Sequence, residues 1–338
     1  MHDMARRRSA PRLWAGVRTS RRMIWAVALP LMAGLTPAAT LVHAGTPAAP
    51  IVPTTSALSS HPASPSLFSP NHRATAARPC LSIRADGLSF SLGSVAALGA
   101  RAISTDIRDV PPTGLDRSGI GLGVDRRSIH TSDDGLLRWS DRSVTVALAL
   151  PAVLALARDP RHPDMRGLAA RFLLYAEASL FNDVATTALK ASVARPRPVL
   201  YNDPWDGPSR PSGWNFESMP SGHASRSWCA ASFALVDYLY SRPGAGTWED
   251  AAVGFAAGTI AAATAALRVR GGVHFPSDAL AGAGIGVACG VGVPLLHGYR
   301  RNGQRIPTPG GHHWLTAVGG MAAGAFVGIG TARFADGS

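Results

Sequence analysis

The chain has 338 residues, 46% hydrophobic and 16% charged, enough to bury a sizeable apolar core in one large domain or two small ones. The formal net charge is +12, but residues 1–44 hold seven arginines and one aspartate and so account for +6 of it. The remaining excess suits an anionic substrate. Since no basic stretch is interleaved with aromatic side chains, the sequence does not predict a nucleic-acid-binding protein.

The N-terminus is typical of an export signal. A basic region runs from Arg6 to Arg22, an apolar region runs from Met23 to Leu41, and Val42-His43-Ala44 offers small residues for cleavage. Arg21-Arg22 resembles the pair of a twin-arginine signal. A transmembrane anchor of about 19 residues is the alternative, but two prolines in the apolar region favour a removed signal over residues 1–44.

Residues 45–85 are rich in Pro, Ala, Ser and Thr, a composition that predicts a linker without a packed core. Residues 86–338 carry helix-length apolar segments and no long alternating run, so we expect an all-α domain. The predicted helices are 90–103, 140–158, 166–193, 221–241, 248–267, 277–299 and 313–333.

Three segments without charged side chains, 251–267, 279–296 and 306–332, approach the length that spans a membrane. Their apolar content is mostly Ala and Gly, which favours a soluble or peripheral exported domain and leaves membrane immersion as the alternative. Glycines recur every four residues in two of these segments, a spacing that lets helix backbones approach closely (282, 286 and 290; 320, 324 and 328).

The first cluster of chemically informative residues is Lys190-x6-Arg197-Pro198. Lys190 is the only lysine in the chain and lies near a predicted helix end, because Pro196 and Pro198 prevent the helix from continuing. Two cations at a helix C-terminus ordinarily compensate the helix dipole. Alone, this cluster does not predict a site.

The second cluster is Pro220-Ser221-Gly222-His223, directly before a helical run. Ser221 is a natural N-cap, and Gly222 allows a ligand to approach the backbone closely. Free amides at a helix start make an anion cradle, with His223 in the first turn. An ordinary capped helix with a surface histidine is the alternative.

The third cluster is Arg268-x5-His274-x3-Asp278. A carboxylate four residues after a histidine can accept its Nδ1 proton and leave Nε2 free as a nucleophile. Arg268 adds a planar charged fork that suits phosphate oxygens. A structural His274–Asp278 pair at a helix start is the alternative.

Residues 199–219, between the first two clusters, form a long connection. We expect either a lid or substrate wall, or a variable surface excursion. The aromatic and charged side chains that it carries are Trp205, Asp206, Arg210, Trp214 and Glu217.

In this order the three clusters resemble the signature of the type 2 phosphatidic acid phosphatase superfamily, which also contains bacterial class A acid phosphatases and vanadium haloperoxidases. The matching strings are K-A-S-V-A-R-P-R-P, P-S-G-H and R-V-R-G-G-V-H-F-P-S-D. One position departs from the pattern, because Leu267 stands where that family usually has serine. We expect only local repacking there.

The resemblance implies a helical bundle with its active site at helix termini on one end. It also implies a role for each motif residue. His274 would attack phosphorus and form a phosphohistidine, Asp278 would orient it, and His223 would protonate the leaving group. The implied phosphate-binding residues are Lys190, Arg197, Ser221, Gly222 and Arg268.

The expected activity is metal-independent, cofactor-free hydrolysis of phosphate monoesters or diphosphates, most readily lipid-linked ones, by a bacterial exported phosphatase. A phosphotransferase and a vanadate-dependent haloperoxidase are the alternatives that use the same pocket. A non-enzymatic helical envelope protein is the alternative outside catalysis. The expected partner is a phosphorylated small molecule or lipid, with possible membrane association. The expected location is the periplasm or the outer face of the inner membrane.

Overall fold

The computed structural model describes residues 77–82, 91–96, 99, 109–111, 113–129, 132–157, 164–204, 207–242 and 246–332. Within them the chain is helical apart from one small sheet, which confirms the all-α prediction. The predicted export signal and most of the predicted linker lie outside the described residues.

Six long helices follow one short helix. They are α1 (Gly123–Arg126), α2 (Asp134–Ala157), α3 (Met165–Val193), α4 (Gly222–Ser241), α5 (Thr247–Arg270), α6 (Pro276–His297) and α7 (Gly311–Thr331). Residues 91–96 are also helical, inside the helix predicted over 90–103. The predicted boundaries are close to the observed ones, except that α2 begins at Asp134 instead of residue 140.

The sheet was not predicted from the sequence. Its strands are β1 (Arg78–Pro79), β2 (Tyr299–Arg301) and β3 (Gln304–Arg305), paired antiparallel in the order β1-β2-β3. Strands of two or three residues are too short to show alternation. Pairing with β2 fixes the described segment 77–82 beside the C-terminus of α6.

Local sequence explains where four of the helices begin or end. Helix α3 stops where Ala194 adopts a left-handed conformation (φ 46°) and prolines follow. Ser221 caps the start of α4, and Pro276 occupies the first turn of α6. Helix α5 is followed by Gly271 and Gly272, the latter with φ 71°.

Helix α4 is the centre of the bundle. Fifteen of its 20 residues are buried, and it packs against α2, α3, α5 and α6. One apolar cluster joins three helices through Leu174 on α3, Phe233 on α4 and Val293 on α6.

Glycine stripes set the distance between two helix pairs, as their spacing predicted. Gly286 on α6 faces the backbone of α4 so closely that a Cβ there would clash with the Ser225 carbonyl oxygen and lie 2.8 Å from Cys229 N. Gly324 on α7 faces the Phe255 backbone of α5 in the same way. The helix backbones therefore touch without intervening side chains.

Among the described residues, four helices are long and apolar enough to cross a membrane by length and composition, namely α2, α5, α6 and α7. Three of them overlap the uncharged segments noted in the sequence. Large hydrophobic side chains lie exposed on this surface, among them Leu280 on α6 (74% exposed) and Phe326 on α7 (84%). These surfaces fit membrane association.

Close α4–α6 packing predicts opposite effects for two glycines on the same helix. Gly286→Ala should lower the free energy of unfolding by about 1–3 kcal/mol, because the new methyl group overpacks the contact. Gly284 has no atom within 4 Å of a Cβ, so Gly284→Ala should stabilise the helix by about 0.5–1 kcal/mol. Unfolding midpoints of the two variants measure this, and equal shifts would contradict the packing.

Candidate active site

A cavity of about 360 Å³ opens where α3, α4, α5 and the loop before α6 meet. Six of the eight residues predicted from the motifs line it, namely Lys190, Arg197, Gly222, His223, Arg268 and His274. The structure therefore brings all three sequence clusters to one place. The other two, Ser221 and Asp278, are buried and do not line the cavity.

Backbone carbonyl oxygens hold two of the three cations. Lys190 Nζ donates to the Glu217 carbonyl at 2.8 Å. Arg197 donates from Nε to the Trp214 carbonyl at 2.9 Å and from Nη1 to the Val273 carbonyl at 2.6 Å. The Trp214 ring also lies against the guanidinium, 3.7 Å from its carbon to the ring centroid. Carbonyls orient these cations without cancelling their charge.

Burial and mutual repulsion act on the same cations. Burial, and next the charge of Arg197, lower the pKa of Lys190 to about 8. Burial, and next the charge of Arg268, lower the pKa of Arg197 to about 9. A bound anion would relieve both effects, because it favours the charged forms.

The third cation, Arg268, is buried, and at least one of its donors has no partner among the described residues. Its Nη1 lies 3.5 Å from Asp141 Oδ1, while its Nε is buried without a hydrogen-bond partner in the described part of the chain. Such donors are rare, since an unpaired buried polar group costs about 1–3 kcal/mol. The arrangement is suited to an anion that supplies acceptors.

His274 is buried and its tautomer is set by the backbone. Its Nδ1 lies 2.7 Å from the Ser218 carbonyl oxygen, which can only accept, so Nδ1 carries the proton. Nε2 is therefore unprotonated, and its lone pair accepts from Arg197 Nη1 at 3.3 Å. Burial, and next the charges of Arg197 and Lys190, hold the pKa of His274 well below its ordinary value, so the ring is neutral.

The predicted contact between His274 and Asp278 is not a hydrogen bond in the structure. His274 Nδ1 lies 3.9 Å from Asp278 Oδ2, because the Ser218 carbonyl occupies the position beside the ring. Asp278 Oδ2 instead accepts from the Ser218 hydroxyl at 2.5 Å and from Phe275 N at 2.8 Å. Asp278 thus reaches His274 through Ser218.

The two neighbouring motif residues, Ser221 and Gly222, differ in their position relative to the cavity. Ser221 is fully buried, and its hydroxyl caps α4 by accepting from Ala224 N at 3.5 Å. It does not line the cavity, so the structure does not place it as the predicted phosphate ligand. Gly222 does line the cavity, at the first residue of α4.

His223 faces the same cavity and contacts Asp141 of α2, 3.0 Å from its Nε2 to Oδ1. Burial, and next the Arg268 charge, lower the pKa of His223 to about 4, while Asp141 opposes that shift. A bound phosphoryl anion would also raise the pKa of His223.

Three residues that contact the predicted site residues were not predicted from the sequence, namely Asp141, Ser218 and Arg195. No local pattern marks Asp141, which is eight residues into a helix with its side chain largely exposed. Leu267 stands at the position where the motif departs from the family pattern. It packs with Leu136 and Ala332 in a small apolar cluster outside the cavity.

The long connection between the first two clusters forms one wall of the site. Trp214 and Glu217 line the cavity, and Ser218 sets the tautomer of His274. These contacts support the substrate-wall interpretation of residues 199–219. Trp205 and Asp206 lie outside the described residues, and Arg210 does not line the cavity.

Comparison with known families agrees with this geometry. The family model of the PAP2 superfamily matches residues 171–302. Residues 171–302 of this chain belong to the PAP2 superfamily. The match leaves α1, α2 and α7 outside it and indicates phosphatase- or haloperoxidase-type activity. No curated protein and no solved structure gave a significant match to the chain.

The single lysine allows a direct test of the site. Because the pKa of Lys190 is about 8, roughly half of its amine is neutral at pH 8, against below about one percent for an ordinary lysine. Acetylation at pH 8 should therefore modify Lys190, and inorganic phosphate or vanadate should slow the reaction. Mass spectrometry of the digested protein measures the rate.

The matched control for this labelling is Lys190→Arg, which should take up label only at the N-terminal amine. A labelling rate of Lys190 that neither anion changes would contradict an anion site at this cavity.

Proposed function

We propose that this PAP2 superfamily member is a metal-independent phosphatase that hydrolyses phosphate monoesters or diphosphates through a phosphohistidine on His274. The observation that carries the proposal is the pairing of a neutral His274 Nε2 with three cations around one cavity. A nucleophile needs a free lone pair, and a phosphoryl group needs charge compensation at its oxygens.

In the first step His274 Nε2 attacks phosphorus, and the bond from phosphorus to the leaving oxygen breaks. Lys190, Arg197 and Arg268 stabilise the negative charge on the phosphoryl oxygens. The amide of Gly222 adds a donor at the start of α4, where the helix dipole favours an anion. His274 Nδ1 keeps its proton on the Ser218 carbonyl, so the positive charge that forms on the ring is shared with that oxygen.

His223 supplies and later removes the proton. In its protonated form it donates to the leaving oxygen as the first bond breaks. Once neutral, it accepts a proton from a water molecule that attacks phosphorus and displaces His274. Phosphate then leaves, and both histidines return to their starting states.

Lipid-linked substrates fit the surroundings of the cavity best. Exposed apolar side chains stand near the active-site end of the bundle, namely Trp139 on α2 (51% exposed), Trp214 (49%) and Leu280. Tryptophan is typical of the membrane–water interface. Together with the export signal predicted over residues 1–44, these side chains support a reaction in the periplasm or at the outer face of the inner membrane.

Phosphate release tests the proposal directly. The full chain should release inorganic phosphate from monoesters or diphosphates in excess EDTA, and His274→Ala should reduce kcat at least about 1,000-fold because the nucleophile is lost. His312→Ala, at an exposed histidine beginning α7, is the control and should keep full activity. A colorimetric phosphate assay over lipid and soluble substrates measures this.

Two outcomes of that assay would contradict the proposal. One is phosphate release that survives His274→Ala or disappears with EDTA. The other is peroxide-dependent bromide oxidation with added vanadate in a protein that releases no phosphate.

The contact between Asp141 and His223 predicts a shift in pH dependence. The carboxylate favours protonated His223, so Asp141→Asn should lower the pKa of the acid further. Since the acid must be protonated, the alkaline limb of the kcat profile should move to lower pH, by about one unit. The pH dependence of kcat measures it, with Asp134→Asn, an exposed carboxylate at the start of the same helix, as the control. An unchanged limb would show that Asp141 does not act on His223.

A further inference from the structure

One buried carboxylate near the active site comes from outside the segment that matches the PAP2 superfamily. Asp125 lies on the short helix α1, and its side chain is fully buried. Its Oδ1 accepts from Ser277 N at 3.1 Å, and its Oδ2 accepts from the Ser277 hydroxyl at 2.6 Å and from Arg195 Nη2 at 2.9 Å. An ionised carboxylate is buried only when it is paired in this way.

Arg195 is shared between two buried carboxylates. Its Nη2 contacts Asp125, and its Nη1 contacts Asp278 Oδ1 at 2.5 Å. The guanidinium also stacks on Phe275, 4.2 Å from its carbon to the ring centroid. Arg195 therefore divides its two terminal nitrogens between two carboxylates, and Asp125 helps to hold it where it reaches Asp278.

Asp278 in turn reaches the nucleophile, His274, through Ser218. Asp278 Oδ2 accepts from the Ser218 hydroxyl at 2.5 Å, and the carbonyl of the same serine accepts from His274 Nδ1 at 2.7 Å. Asp278 thus fixes this serine, and the serine carbonyl sets the tautomer that leaves Nε2 unprotonated.

We propose that Asp125 is a positioning residue for the reaction. It fixes the first turn of α6 and it fixes Arg195, which in turn contacts Asp278. By this route α1, which precedes the PAP2 segment, completes the active site. The inference rests on the proposed phosphatase function.

A purely structural role for Asp125 makes a different prediction. The carboxylate also accepts from a backbone amide at the start of α6, so its loss would lower stability even without any link to catalysis. Structural loss reduces the amount of folded enzyme, but it leaves kcat per active site unchanged. Misplacement of the nucleophile lowers kcat and leaves KM nearly constant.

The experiment compares Asp125→Asn with Asp116→Asn in the full chain. Asp116 lies in the same segment, is exposed, and caps the turn at Arg117–Gly119 without touching α6. For Asp125→Asn we expect kcat per folded molecule to fall at least about 10-fold with KM within about two-fold. For Asp116→Asn we expect both constants to stay at their wild-type values.

A milder variant keeps the test decisive if Asp125→Asn does not fold. Ser277→Ala removes the hydroxyl that donates to Asp125 and accepts from Arg195 Nη1 at 2.7 Å. It should lower kcat by about three-fold or more at constant KM. Wild-type kcat in the folded variant would overturn the inference while leaving the phosphatase proposal intact, whereas an inactive wild-type chain would overturn the phosphatase proposal first.

Discussion

Three cations, Lys190, Arg197 and Arg268, line one cavity although their charges repel one another. The surrounding structure has to offset the free energy of this repulsion. Carboxylates in direct contact would remove the repulsion but would also cancel the field that attracts an anion. The chain uses carbonyl oxygens for two of the cations instead. Carbonyls orient a cation and share its protons without adding a full negative charge, so the cavity stays electropositive.

The same requirement explains the position of the loop between α3 and α4. Its carbonyls at Trp214 and Glu217 receive the cations, and its carbonyl at Ser218 receives the His274 proton. Carbonyls outside the α-helical hydrogen-bond pattern are able to turn towards these groups. The glycine contact between α4 and α6 then brings the loop and the His274 turn within reach.

The motifs predicted the residues that line the cavity better than the residues that hold them in place. Six motif residues line the cavity, and their residue types and spacings within three short strings made them recognisable in the sequence. Asp125, Asp141 and Ser218 act through three-dimensional contacts with residues far away in the chain, which no local spacing reveals. Asp278 shows the limit most clearly. Its spacing from His274 predicted a hydrogen bond, but a backbone carbonyl occupies that position.

The helices were predictable for a related reason. Apolar length, prolines and capping residues act locally, so α3 to α7 begin and end near their predicted positions. The sheet of β1, β2 and β3 depends on pairing between residues more than 200 positions apart. Membrane immersion is also not a local property, because exposed apolar helices are compatible with lipid and with a soluble partner.

In the proposed reaction, His274 Nε2 is the atom that receives the phosphoryl group. The most direct measurement is mass spectrometry of the peptide containing His274 after a rapid alkaline quench during turnover, conditions under which phosphohistidine is preserved. We predict a phosphoryl group on His274 that accumulates in His223→Ala. This variant keeps the nucleophile, but both leaving-group protonation and water attack are slowed. A phosphoryl group on another residue, or turnover without any phosphorylated enzyme, would contradict it.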